Sequence, residues 1–321
     1  MKLYLATKDG LAVAEGSGCD WLSIRRGLDG QEVTAVIARE GTILAGTTDG
    51  IFRSNDDGQT WQDANQGLTV RHIRRLAHHP DISDFVMAGT EPAALFVSID
   101  GGESWQERAE VSNMRDRFGW WLPYSPEAGC VRGFAAHGER LYAAVEVGGL
   151  LRSDDEGQSW NLAPGSDGRP RFGQPAEQNV HPDMHDVFVH ASSPELLYAP
   201  TGGGFYTSQD GGATWSSPYD NCYVRAVWVD PQNPRFIVLG PSEDPDGKEG
   251  RIEISEDGGQ LWQPVTERWQ ANMVERFHPV DGTLLAVLAN GQLLAASGPS
   301  FKWTQVLENV SDILDISSEP Q

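Results

Sequence analysis

Seven segments of this chain, aligned by counting back from a motif described below, each place one residue at an equivalent position: Thr34, Arg74, Arg132, Asp186, Arg225, Glu275 and Leu314. Three arginines, an aspartate and a glutamate at one level would form a mixed-charge ring. Arginine offers a planar fork of donors that grips a carboxylate through two parallel N–H bonds, so the ring suits a small anionic or polar organic molecule. The run His181-Pro182-Asp183-Met184-His185-Asp186 adds imidazoles and carboxylates able to move protons or hold a metal. On a regular strand His185 and Asp186 project to opposite faces. That favours acid/base or hydrogen-bonding chemistry over one shared ion, and neither a metal nor an organic cofactor is expected. Glu146 in VEVGG and Glu91 in GTEPAA fall near the same rim. Asp186, Glu275 and Glu146 could supply the paired carboxylates that glycoside cleavage requires.

The elements that position these residues are set by an internal repeat. The pattern S-x-D-x-G-x-x-W occurs without error at Ser54–Trp61, Ser98–Trp105, Ser153–Trp160, Ser208–Trp215 and Ser255–Trp262. Average residue usage predicts about a hundredth of a match by chance, so five copies define a repeat. Two eroded copies end at Trp21 and Trp303. Successive tryptophans are 40, 44, 55, 55, 47 and 41 residues apart. Each unit reads as four short strands, such as EVTAVIA, TILAGTT, GIFRSN and the strand opening at Trp61, with Asp49-Gly50 as a two-residue turn. Ser and Asp side chains can satisfy turn amides, and the tryptophan opens the outermost strand and packs between neighbouring sheets.

On these copies the chain resembles Asp-box (BNR-repeat) propellers over its full length, a group that includes sialidases, sortilin-type receptors, xyloglucanases and photosystem II stability factors. The resemblance implies an all-β propeller, and the seven copies of the repeat make it a seven-bladed β-propeller of four-stranded antiparallel blades, forming a single domain over residues 1–321. The segment 311–318 is expected to complete the blade begun by residues 1–21, which removes the free sheet edges. Insertions at 106–129 and 161–182 lengthen two repeats. They carry Trp120, Trp121, Tyr124, Arg169, Arg171 and Phe172, and are expected to cover the channel mouth as a lid. Sialidases also need a tyrosine nucleophile and an F/Y-R-I-P motif in a six-bladed ring. Phe52-Arg53-Ser54 lies beside a box and does not supply that motif.

Composition narrows the partners. The formal charge of −22 argues against nucleic acid, which needs clustered Lys and Arg. No window of eighteen apolar residues suggests a membrane span. MKLYLATKDG lacks a signal-peptide core, and the three cysteines, Cys19, Cys130 and Cys222, form no C-x-x-C pair. A soluble, cytoplasmic monomer is the expectation. The functional expectation is a small anionic or polar ligand, and a candidate substrate, held at the channel mouth between blades three and six. Arg74, Arg132, Arg225, His181, Trp120, Trp121 and Tyr124 would bind it; His185, Asp186, Glu275 and Glu146 would do any chemistry. The alternatives are a glycoside hydrolase or lyase acting on carbohydrate, and a protein-assembly scaffold.

Overall fold

The middle strands of each repeat are apolar on both faces: Thr42–Thr47, Val86–Thr90, Arg140–Val145 and Thr283–Leu288 are buried along almost their whole length. Such a strand must be covered on both sides, and a ring of sheets that cover one another meets that demand. The computed structural model describes residues 1–121, 129–170, 175–265, 272–298 and 301–319. It contains seven four-stranded antiparallel sheets. Their innermost strands are Ile313–Ser318 (blade one), Val33–Arg39 (two), Ile73–His78 (three), Val131–His137 (four), Phe188–Val189 (five), Tyr223–Asp230 (six) and Val274–Val280 (seven). Blade one is shared. Ile313–Ser318 pairs antiparallel with Lys2–Thr7, which continues to Gly10–Ser17 and Asp20–Gly27. This is the expected closure, so the ring has no open edge. No helix among the described residues is long and apolar enough to cross a membrane.

Seven buried clusters fill the seven gaps between blades, and each holds the tryptophan of the repeat on one side of its gap. Trp61 packs with Val13 and Ile43 between blades one and two, Trp105 with Leu44 and Phe96 between two and three, and Trp160 with Leu95 and Leu141 between three and four. Trp215, Trp262, Trp303 and Trp21 occupy the remaining four gaps. The two eroded copies therefore keep the wedge although they have lost the Ser and Asp of the motif.

The turn itself is a closed hydrogen-bond circuit. In blade four, Ser153 Oγ donates to Asp155 Oδ1 at 2.7 Å and accepts from Gly157 N at 2.9 Å. Asp155 also accepts from Ser159 N at 2.9 Å and Ser159 Oγ at 2.6 Å. Those donors hold the Asp155 carboxyl down at about 2. Gly157 has φ 75°, and a Cβ there would lie 3.0 Å from Leu141 and 3.1 Å from Phe85, so glycine lets the turn close onto the gap. The other intact copies repeat the circuit. Because these turns join third and fourth strands, they lie at the opposite end of the blades from the hairpins carrying Glu91 and Glu146.

Asp155→Ala should therefore cost about 1–3 kcal/mol, by leaving turn donors without an acceptor, and leave ligand affinity at the mouth unchanged. Paired urea unfolding and binding titrations check this. Lost binding at full stability would contradict a structural role for the repeat.

Candidate functional site

Every innermost strand carries one extra residue where it enters the channel. In blade three Ile73 faces Thr90 and Arg75 faces Gly89, so Arg74 has no partner of its own. The same slip leaves Thr34, Arg132 and Glu275 unpaired, falls at Leu314 in the shared blade, and falls within Arg225-Ala226 in blade six. In blade five, Met184 faces Thr201 and Phe188 faces Tyr198, so three residues span two. A β-bulge bends its strand and breaks strict alternation. Two consecutive side chains can then turn toward the channel, giving two tiers.

The outer tier holds Thr34, Arg74, Arg132, His185, Arg225, Glu275 and Leu314, all of which line a mouth cavity of about 200 Å³. The blade-five member is therefore His185, not Asp186 as strict alternation predicts. Asp186 sits one residue deeper, 5% exposed, with Oδ2 3.6 Å from Arg276. Arg74 Nε lies 3.3 Å from Glu91, Arg132 Nη1 3.1 Å from Glu146, and Arg132 Nη2 3.7 Å from Glu275, which also pairs with Arg225. Each mouth arginine thus has a carboxylate. Burial opposes ionisation of Glu146, yet Arg132, ahead of the other groups around it, holds its carboxyl well below the usual range. Burial and Glu146 push the Cys130 thiol up, so it stays protonated and donates to Glu146 Oε2 at 3.1 Å. Arg225 also lies over the Tyr223 ring, 5.3 Å from its centroid.

The inner tier was missed by sequence reasoning. Asp315, 2% exposed, has Oδ1 2.6 Å from Arg276 Nε and 3.5 Å from Arg75 Nη1, and its Oδ2 accepts from the backbone N–H of Val36 at 3.1 Å. Burial, and next the neighbouring Arg276, push the Arg75 guanidinium down; Asp315 and Asp186 oppose them. Adjacent charged residues inside an otherwise apolar strand, as in Arg74-Arg75 and Glu275-Arg276, were the available signal.

Beside the outer tier, Glu146, Asp183 and His185 bring ligand-type atoms within 4.8 Å of one another. The ring of His185 stacks at a tilt on Tyr223, 4.5 Å between centroids. His181 is buried, does not line the mouth cavity, and accepts from Asp183 N at 3.2 Å through Nδ1. Burial pushes its imidazole down.

The aromatic lid is corrected. Residues Ala109–Phe118 of the first insertion form a helix that ends at Gly119. The next residue, Trp120, is fully buried among Leu95, Val131 and Val145 between blades three and four. Its Nε1 donates to Gly168 O of the second insertion at 2.7 Å, and a Cβ on Gly148 would come within 2.8 Å of its ring. Trp120 thus braces the Glu146 hairpin from behind rather than covering the cavity. Trp121 is 47% exposed and does not line the mouth cavity. Tyr124, Arg171 and Phe172 lie outside the described residues. A larger cavity of about 500 Å³ lies between blades six and seven at the opposite end, lined by Trp228, Phe236, Phe301, Asp230 and Asp281. It holds none of the residues singled out from the sequence.

No protein-family model matches the chain. The Emericella nidulans oligoxyloglucan-reducing end-specific xyloglucanase is 25% identical over 283 residues, which is 75% of this chain but 34% of that protein. The chain thus spans about a third of the length of this curated relative. Among solved structures, YCF48 bound to D1 peptide superposes with a TM-score of 0.63 at 14% identity, covering 92% of this chain and 87% of that one. A GH74 enzyme from Niastella koreensis gives 0.61 at 15% identity, covering 94% and 46%. YCF48 from Cyanidioschyzon merolae gives 0.60 at 13%, covering 95% and 91%. These likenesses establish the propeller fold.

Removing the shared acceptor of the inner tier should be severe. Asp315→Ala leaves Arg75 and Arg276 short of counter-charge in the ring interior and should destabilise the protein by about 3–5 kcal/mol. Chemical denaturation measures this, and a loss below about 1 kcal/mol would show that solvent screens the pair.

Proposed function

We propose that the channel mouth binds a small neutral polyhydroxylated molecule, a sugar residue or the end of a sugar chain, in a propeller of the Asp-box type. The observation that carries this reading is the pairing of each mouth arginine with a carboxylate around a cavity of about 200 Å³. A paired arginine has little uncompensated charge left for an anion, which weakens the carboxylate-binding expectation. What the rim presents is guanidinium donors alternating with carboxylate acceptors. A sugar hydroxyl both donates and accepts, so adjacent hydroxyls can bridge such pairs. The similarity to a protein named as a xyloglucanase supports the same chemistry.

Turnover is a second reading, favoured by that relative's named activity. Glu146 and Glu275 flank one guanidinium, Arg132. With its carboxyl held ionised beside Arg132, Glu146 would act as base or nucleophile.

Calorimetric titration with xyloglucan oligosaccharides, neutral monosaccharides and small carboxylates tests the binding reading. Sugars should bind, and Glu275→Gln should weaken them about tenfold or more, the worth of a charge-assisted hydrogen bond. Binding of carboxylates alone, or sugar affinity unchanged by Glu275→Gln, would overturn it. Reducing-end release abolished in Glu146→Gln would establish turnover; no release by the wild type would eliminate it.

A further inference from the structure

We infer that Asp183, His185 and Glu146 form a site for one divalent transition-metal ion at the wall of the mouth cavity. The tautomer of His185 is set by a backbone carbonyl. Its Nδ1 lies 2.5 Å from the carbonyl oxygen of Val224. A carbonyl can only accept, so Nδ1 carries the hydrogen, and in the neutral ring Nε2 is left as a bare lone pair. His185 is 3% exposed, and Nε2 is buried without a hydrogen-bond partner. Asp183 Oδ1 lies 3.4 Å away, and it too is buried and unpartnered. With the ring neutral, two buried acceptors face each other without a donor, and a cation between them satisfies both.

The spacing suits a metal. Ligand atoms bound at about 2.1 Å around a tetrahedral ion stand about 3.4 Å apart, which is the Asp183–His185 separation already present. Glu146 comes from the neighbouring blade, with its nearest ligand-type atom inside the same 4.8 Å group. Arg132 and Cys130 bind its Oε2, and no described hydrogen bond reaches its Oε1. The surroundings make room for the set. A Cβ on Gly202 would fall 2.1 Å from Asp183 Oδ2, and Trp120 holds the Glu146 hairpin in place. A His ligand whose other nitrogen donates to a backbone carbonyl is the usual outer-shell arrangement at metal sites.

The donor set also selects the ion. One imidazole and two carboxylates neutralise a divalent charge and leave a further coordination position open, as in catalytic zinc sites. One nitrogen and three protein ligands favour zinc or manganese over calcium, which takes six to eight oxygens. His185 lines the cavity, so the open position is reached from the mouth. This inference does not rest on sugar binding, and its test uses the metal alone.

The full chain, without an affinity tag and stripped with chelator, is titrated with Zn²⁺, Mn²⁺ and Co²⁺ at pH 7.5. One ion per chain should bind, and Asp183→Asn and His185→Gln should each weaken it about a hundredfold or more. Co²⁺ should give the intense visible bands of a low-coordinate site. Spin-echo spectroscopy of the Mn²⁺-loaded wild type should show one imidazole nitrogen, a readout that stands even where a variant does not fold. Absence of stoichiometric binding overturns the proposal, as does affinity unchanged in both folded variants. So does ¹⁵N NMR of the metal-free protein showing His185 doubly protonated at pH 7.5, since a proton would then join it to Asp183.

Discussion

Burial on both faces is the constraint from which the rest of this molecule follows. Each four-stranded sheet has apolar residues above and below, and it can hide them only by being sandwiched between two others. A set of sandwiched sheets has no end until it returns to its start, so a shared blade is the natural solution. The tryptophan wedge fills each gap, and it persists at Trp21 and Trp303 where the Ser and Asp of the turn are gone. Packing is thus held more tightly by the sequence than is the turn chemistry that makes the repeat recognisable.

The channel follows a second rule. Innermost strands converge at the axis, and an extra residue in each lets the strand bend while two successive side chains turn inward. Charge is then sorted by depth. The inner tier is a lattice of ion pairs around the buried Asp315, and the outer tier is a rim of arginine–glutamate pairs. Rigidity below supports selectivity above, because rim side chains anchored at the backbone and paired at the tip have few alternative positions.

Architecture was legible in the sequence because it depends on spacing and residue class, which the repeat displays seven times. Blade number, strand order and closure needed no side-chain geometry. The tiers were not legible by the same route. Strict alternation assigned Asp186 to the rim, whereas the bulge at blade five gives that place to His185. It also hid Arg75, Arg276 and Asp315, each next to a residue that lines the mouth cavity. Trp120 failed for another reason. Aromatic content in an insertion does not reveal which way the ring faces, and here a gap between blades three and four competed successfully for it.

The position of Asp315 has a consequence for how the protein is made. Arg75 and Arg276 lie in blades three and seven, but their common acceptor sits in a strand that follows the other described strands of the ring in sequence. Until Ile313–Ser318 docks against Lys2–Thr7, two guanidinium groups face a half-closed axis without their aspartate. Contacts spanning most of a chain form slowly, and domains grow from the N-terminus during synthesis. The last β-strand therefore works as a latch that also discharges the axis. Asp186 offsets part of that charge beforehand, and the balance at the axis is completed when the ring closes.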